Sequence, residues 1–177
     1  MNGPPRLNLA FRLTTRLRNC GRGSASVEFA LWTALFFAVV MVALDFGLYH
    51  LQAERADQAV GAAAVQTFQQ ASNAGFASIP AYVRAYAADS ALGVTTSCNG
   101  TAGACTNVNR TCACLTSNGA FVALSCGSSC SGTGMTAGST AGYYLTITAS
   151  RNFAAIVVPR GLLNNAIISR SATVRLQ

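Results

Sequence analysis

The chain has 177 residues, a formal net charge of +7, 51% hydrophobic and only 10% charged residues. That length leaves room for about one domain of ordinary size. Beyond residue 60 it has one acidic residue, Asp89, and no His or Lys, which excludes paired carboxylates, a Ser/His/Asp set and a His-based metal site there.

All 12 basic residues are Arg, and five of them (Arg6, Arg12, Arg16, Arg18, Arg22) fall within residues 1–23, where no acid occurs. Removing those five from +7 leaves +2 for residues 24–177, so the basic balance belongs mainly to a leader. Arg clusters can neutralise nucleic-acid phosphates. Arginines just before an apolar helix instead orient that helix with its N-terminus in the cytoplasm. The reading is therefore a cytoplasmic leader over residues 1–23, with no nucleic-acid partner.

From Ser24 to Leu44 runs SASVEFALWTALFFAVVMVAL, 21 residues. At ~1.5 Å per residue this covers about the hydrocarbon thickness of a bilayer. The sequence predicts a transmembrane helix. A secretory signal would be shorter and end at a small-residue cleavage site on the far side, whereas here the helical pattern continues to about Gln70. The part outside the membrane, residues 45–72, should pack through Leu44, Leu48, Leu51 and Val65. The lone His50, just past the membrane, reads as an interfacial helix residue, and Trp32, Tyr49 and Phe36-Phe37 as lipid-facing or helix-packing groups.

Asn73-Ala74-Gly75 breaks the helix. Ser78 as N-cap with Pro80 in the first turn predicts a second helix over Ala81–Leu92, stopped by Gly93. Strand candidates follow at Val94–Cys98, Asn109–Leu115 and Ala120–Cys126. Residues 127–142 form a Gly/Ser/Thr loop. Alternation at Tyr143–Ala149 and Ala172–Leu176 marks two further strands, joined by a loop through Pro159-Arg160-Gly161. Asn99-Gly100-Thr101 and Asn109-Arg110-Thr111 match the glycosylation sequon. Residues 73–177 are thus expected to form a small cysteine-rich α+β domain: a short helix and an antiparallel sheet laid against the long helix.

Cys20 lies in the leader. Cys98, Cys105, Cys112, Cys114, Cys126 and Cys130 crowd together in the exported part, where thiols oxidise, and read as up to three disulfides whose pairing the sequence leaves open. Cys112 and Cys114, two apart on one strand, point the same way and should bond to different partners. Zinc is the competing reading, but these spacings do not make two knuckles. A redox protein is a third, and it lacks a C-x-x-C pair.

A glutamate inside an apolar span, Glu28, costs roughly 2.5–3.5 kcal/mol on insertion scales and calls for a partner or a task. Its setting is a basic leader ending in Gly23, then Ser24, with Glu28 at the fifth place after the glycine and Phe29 next. This resembles the type IV prepilin signal, in which a membrane aspartyl peptidase cuts after the glycine on the cytoplasmic side. The wording R-G-S-A-S-V-E-F-A-L, followed by a long helix with Asp45-Phe46-Gly47 near its exit, is similar to the TadE-like minor pilins of tight-adherence pilus systems. A looser likeness lies in the late strand with Ser169-Arg170-Ser171-Ala172.

The resemblance implies a structural subunit and not an enzyme, with no cofactor and no metal. It would act in pilus assembly, initiation or at the tip. Gly23, Ser24 and Glu28 would serve processing, and Glu28 and Phe29 assembly, with a neighbour's terminal ammonium compensating the Glu28 carboxylate. The partners implied are a prepilin peptidase, other pilin subunits and the bacterial inner membrane, with the N-terminus cytoplasmic and the C-terminal domain periplasmic. The alternative is an uncleaved, membrane-anchored adhesin or ligand-binding domain with a surface adhesion target.

Overall fold

The computed structural model describes residues 21–158 and 166–177, with side chains from residue 24 onward. Residues 1–20, including Cys20 and four of the leader arginines, and the connection at Pro159-Arg160-Gly161 lie outside the described residues. Two compact units emerge, Met1–Asp45 and Phe46–Gln177.

The long helix α1 runs Gly21–Gln69 without interruption. No proline occurs in it, and its two internal glycines past the membrane stretch, Gly47 and Gly61, meet no neighbouring atoms that would force a bend. The helix is long and apolar enough to cross a membrane, with a mean hydropathy of 2.3 over its best window. Val27, Phe29, Leu31, Trp32, Leu35, Phe36 and Phe37 all stand exposed along its first half. A continuous apolar sleeve of that size is unfavourable in water and fits a membrane anchor.

Single 3-10 turns at Ala71–Asn73 and Phe76–Ser78 lead into α2, Ile79–Ala87. Ser78 sits at the N-cap position with Pro80 in the first turn, but its hydroxyl donates backwards to the Gly75 carbonyl at 2.8 Å and caps no helical N–H. The helix also stops short of the expected Leu92. Ala88 takes a left-handed conformation, φ 52°, and the Asp89 N–H bonds back to the Arg84 carbonyl. The Asp89 carboxylate then accepts the Ala91 N–H, a local turn that competes with helix continuation. Gly93 is accordingly no helix stop but the first residue of a strand.

The main sheet has strands β1 (Gly93–Cys98), β2 (Thr101–Ala102), β5 (Tyr144–Asn152) and β6 (Ile167–Arg175) in the order β2-β1-β5-β6, all antiparallel. A separate two-stranded sheet pairs β3 (Cys112–Leu115) with β4 (Phe121–Leu124). The last strand begins five residues before the predicted Ala172, because all nine residues of β5 find partners, out to Asn152 with Ile167.

In the core, β5 contributes Leu145, Ile147 and Ala149, each 0% exposed, and α2 contributes Ile79, Val83 and Ala87. The matching stripe on α1 is Ala53, Ala56, Ala59, Val60, Ala63 and Ala64. This corrects the expected leucine face: Leu44, Leu51 and Val65 are exposed, and only Leu48 packs partly against the core. Alanines at this helical spacing let the sheet lie close to the helix backbone, where larger side chains would not fit. The architecture is the expected α+β.

Candidate functional site: the membrane-helix signature and the cysteine-rich lobe

The signature residues lie at the start of α1. The backbone is already helical at Gly21, so Gly23 and Ser24 belong to the same helix as Glu28. Ser24, Glu28 and Phe29 are all exposed, and Glu28 shares a shallow patch with Leu31, Trp32 and Leu35. A carboxylate one helical turn past Ser24 and ringed by apolar groups is available to another chain. Glu28 is the one titratable group lining the patch.

The second feature is the segment between β1 and β5. All six cysteines among the described residues are joined, Cys98 to Cys105, Cys112 to Cys126 and Cys114 to Cys130, with Cα–Cα distances of 5.1, 4.9 and 5.8 Å. Cys112 and Cys114 lie on β3 and bond to different partners, as their shared direction predicts. The pairing uses the six thiols that a cysteine zinc site would need. Cys112, Cys114, Cys130 and Ala141 make a small core of their own, with Met135 against it. The Gly/Ser/Thr loop of residues 127–142 is tied down by the Cys114–Cys130 bond and by bridges pairing Thr116 with Met135, Ser129 with Thr140 and Ala113 with Gly142.

Polar side chains that sequence reasoning passed over join this lobe to the rest of the unit. Arg110 donates to the Ala71 carbonyl at 2.6 Å and to Asn107 Oδ1 at 2.8 Å, while its guanidinium lies 5.1 Å from the Tyr143 ring centre. The Asn107 amide grips the backbone of Ala74 from both sides, accepting its N–H at 3.1 Å and donating to its carbonyl at 3.0 Å. Tyr143, 1% exposed, accepts the Thr106 N–H on its hydroxyl at 2.8 Å. Arg110 falls within the strand expected over Asn109–Leu115, but the strand begins only at Cys112, which leaves Arg110 free to reach back to Ala71.

A further polar cluster lies where α1, α2, β5 and β6 meet. Gln52, Arg55, Asp89, Leu92, Arg151 and Ile168 line a cavity of about 100 Å³, inside which Arg151 and Asp89 form an ion pair.

No curated protein and no solved structure matches the chain. Residues 23–65 match the family model described as TadE-like protein, so most of α1, from Gly23 onward, is TadE-like.

Proposed function

We propose that this chain is a minor pilin-like structural subunit of a tight-adherence type IV pilus, made as a precursor and cut after Gly23 by a prepilin peptidase. The observation that carries the reading is the TadE-like match, which begins at residue 23, the residue that would precede the cut. The apolar sleeve of α1 supports membrane anchoring, with the arginine leader setting the N-terminus in the cytoplasm and the disulfide-bonded lobe in an oxidising compartment. Glycine is the costliest ordinary residue in a helix, by about 1 kcal/mol relative to Ala, so Gly21 and Gly23 ease local unwinding where a peptidase must grip the backbone. Cleavage gives Ser24 an ammonium group one turn from Glu28. In a packed bundle Glu28 then meets the terminal ammonium of a neighbouring subunit.

The test is the mass of the N-terminal peptide of protein taken from its native membrane. The expected N-terminus is Ser24, and Gly23→Leu should leave a precursor retaining the leader. A native chain that keeps Met1 or the leader would overturn the reading in favour of an uncleaved anchor.

A further inference from the structure

The cavity lined by Gln52, Arg55, Asp89 and Arg151 holds two cations and one anion, hence one surplus positive charge. That surplus charge fits the cavity to a carboxylate.

The same stretch of α1 displays the complementary chemistry on its other flank. Glu54 and Asp57 are three apart and exposed, and neither is ion-paired with another described residue. At 3.6 residues per turn the Glu54/Asp57 ridge lies about 160° around the helix from the Gln52/Arg55 ridge. The alanine stripe that faces the sheet runs between them. Asp57 stands beside an open groove whose floor includes Gly61, Ala62 and Val65, with Tyr82 and Tyr86 at its side. Acid and base on opposite flanks of one helix segment cannot neutralise each other within a chain. They can between chains.

We infer that the Arg55/Arg151 cavity receives the Glu54/Asp57 ridge of a second copy of this chain, Asp57 supplying the carboxylate. The contact is head-to-tail, because each copy offers one acidic and one basic flank, and head-to-tail contacts that do not close propagate as filaments. It adds a specific subunit contact to the pilin reading and rests on that reading.

Two differently tagged copies of the full chain, co-expressed and extracted from membranes in mild detergent, provide the test. Asp57→Arg in both copies should lower co-purification at least about tenfold, as should Arg55→Glu, the scale expected for losing one side of a partly desolvated charge pair. Asp57→Arg combined with Arg55→Glu in the same chain should restore it, since opposite charges then face each other again. A purely structural role for Arg55 would not give that rescue. If Arg55→Glu fails to form its three disulfides, Asp57→Asn on the exposed flank carries the test alone, with the same loss expected and no loss refuting it. Unchanged co-purification of Asp57→Arg, or a double variant no better than either single one, overturns the contact. With cleavage after Gly23 intact, that result would leave the pilin reading standing; an uncleaved chain would remove the pilin reading instead.

Discussion

Asn99 and Tyr144 hold each other reciprocally: the Asn99 N–H donates to the Tyr144 carbonyl at 2.9 Å, and the Tyr144 N–H donates to Asn99 Oδ1 at 3.0 Å. The Asn99 amide nitrogen reaches further, to the Thr111 carbonyl at 2.6 Å, tying β1 to the entry of β3. With φ of 48° at Asn99 and 81° at Gly100, the pair forms the two-residue turn between β1 and β2, the left-handed Asn-Gly turn that suits the twist of a hairpin. Asn99→Ala removes two side-chain hydrogen bonds and places Cβ in a conformation that favours Asn and Gly. The expected cost is about 2–3 kcal/mol, measured by chemical unfolding of the non-reduced protein in detergent. Asn99→Gly should recover the backbone part only. A loss within about 0.5 kcal/mol for Asn99→Ala would show that the side chain is not the joint described here.

The alanine stripe on α1 makes an opposite pair of expectations. Ala59 is 0% exposed against the sheet, so Ala59→Leu must displace packed atoms and should destabilise by about 1–3 kcal/mol. Leu51 is 47% exposed, and Leu51→Ala should stay within about 0.5 kcal/mol. The same unfolding measurement decides between them, and the reverse order would restore leucine as the packing face.

That stripe also shows where sequence reasoning ended. The long apolar helix was readable because 21 consecutive mostly apolar residues have few alternative uses. The alternation of Tyr143, Leu145, Ile147 and Ala149 marked β5 because one face is wholly buried. In contrast, a helix that buries mostly alanines carries little hydrophobic contrast, and the larger Leu44 and Leu51 drew attention to the wrong side. The end of α2 was missed because Asp89 stops it by a side-chain turn and an ion pair with Arg151, a partner 62 positions away. For the same reason the Gln52/Arg55/Arg151 cavity was not visible: its members come from α1, α2 and the turn after it, β5 and β6, and share no local pattern.

Glu28 can be separated from the folding of the exported unit. It is exposed on α1, and Leu31, Trp32 and Leu35, its neighbours in the patch, belong to the same helix. Glu28→Ala should therefore leave membrane insertion and all three disulfides intact, and even ease insertion by removing a charge from the apolar span. Pilus assembly should be impaired, because the proposed compensating ammonium lies on another subunit. Surface pili counted by electron microscopy, with disulfide content as the control, check this. Normal piliation would make Glu28 an interfacial passenger.

The three disulfides should contribute unequally. Residues 112–142 carry no charge and are rich in Gly, Ser and Thr, and the small core there consists mainly of the cysteines themselves. Ordering such a chain costs roughly 1–2 kcal/mol per residue, which so little apolar burial cannot offset. Cross-links act on the unfolded side of the balance, and more so for longer loops. The bonds Cys112–Cys126 and Cys114–Cys130 span 14 and 16 positions, and on loop entropy alone each is worth about 3 kcal/mol. Cys98–Cys105 spans 7 and should be worth somewhat less, about 2 kcal/mol. Cys114 and Cys130 are both buried, at 0% and 6% exposed, so their loss also opens the lobe's core. Cys114→Ala with Cys130→Ala should thus be the most damaging pair and leave residues 112–142 open to protease. Cys98→Ala with Cys105→Ala should leave that lobe resistant, because its own two bonds remain. Limited proteolysis of the non-reduced variants, read by mass spectrometry, reports the order directly. Equal sensitivity in both pairs would mean that the lobe is held by its contacts with the main sheet and not by its own cross-links.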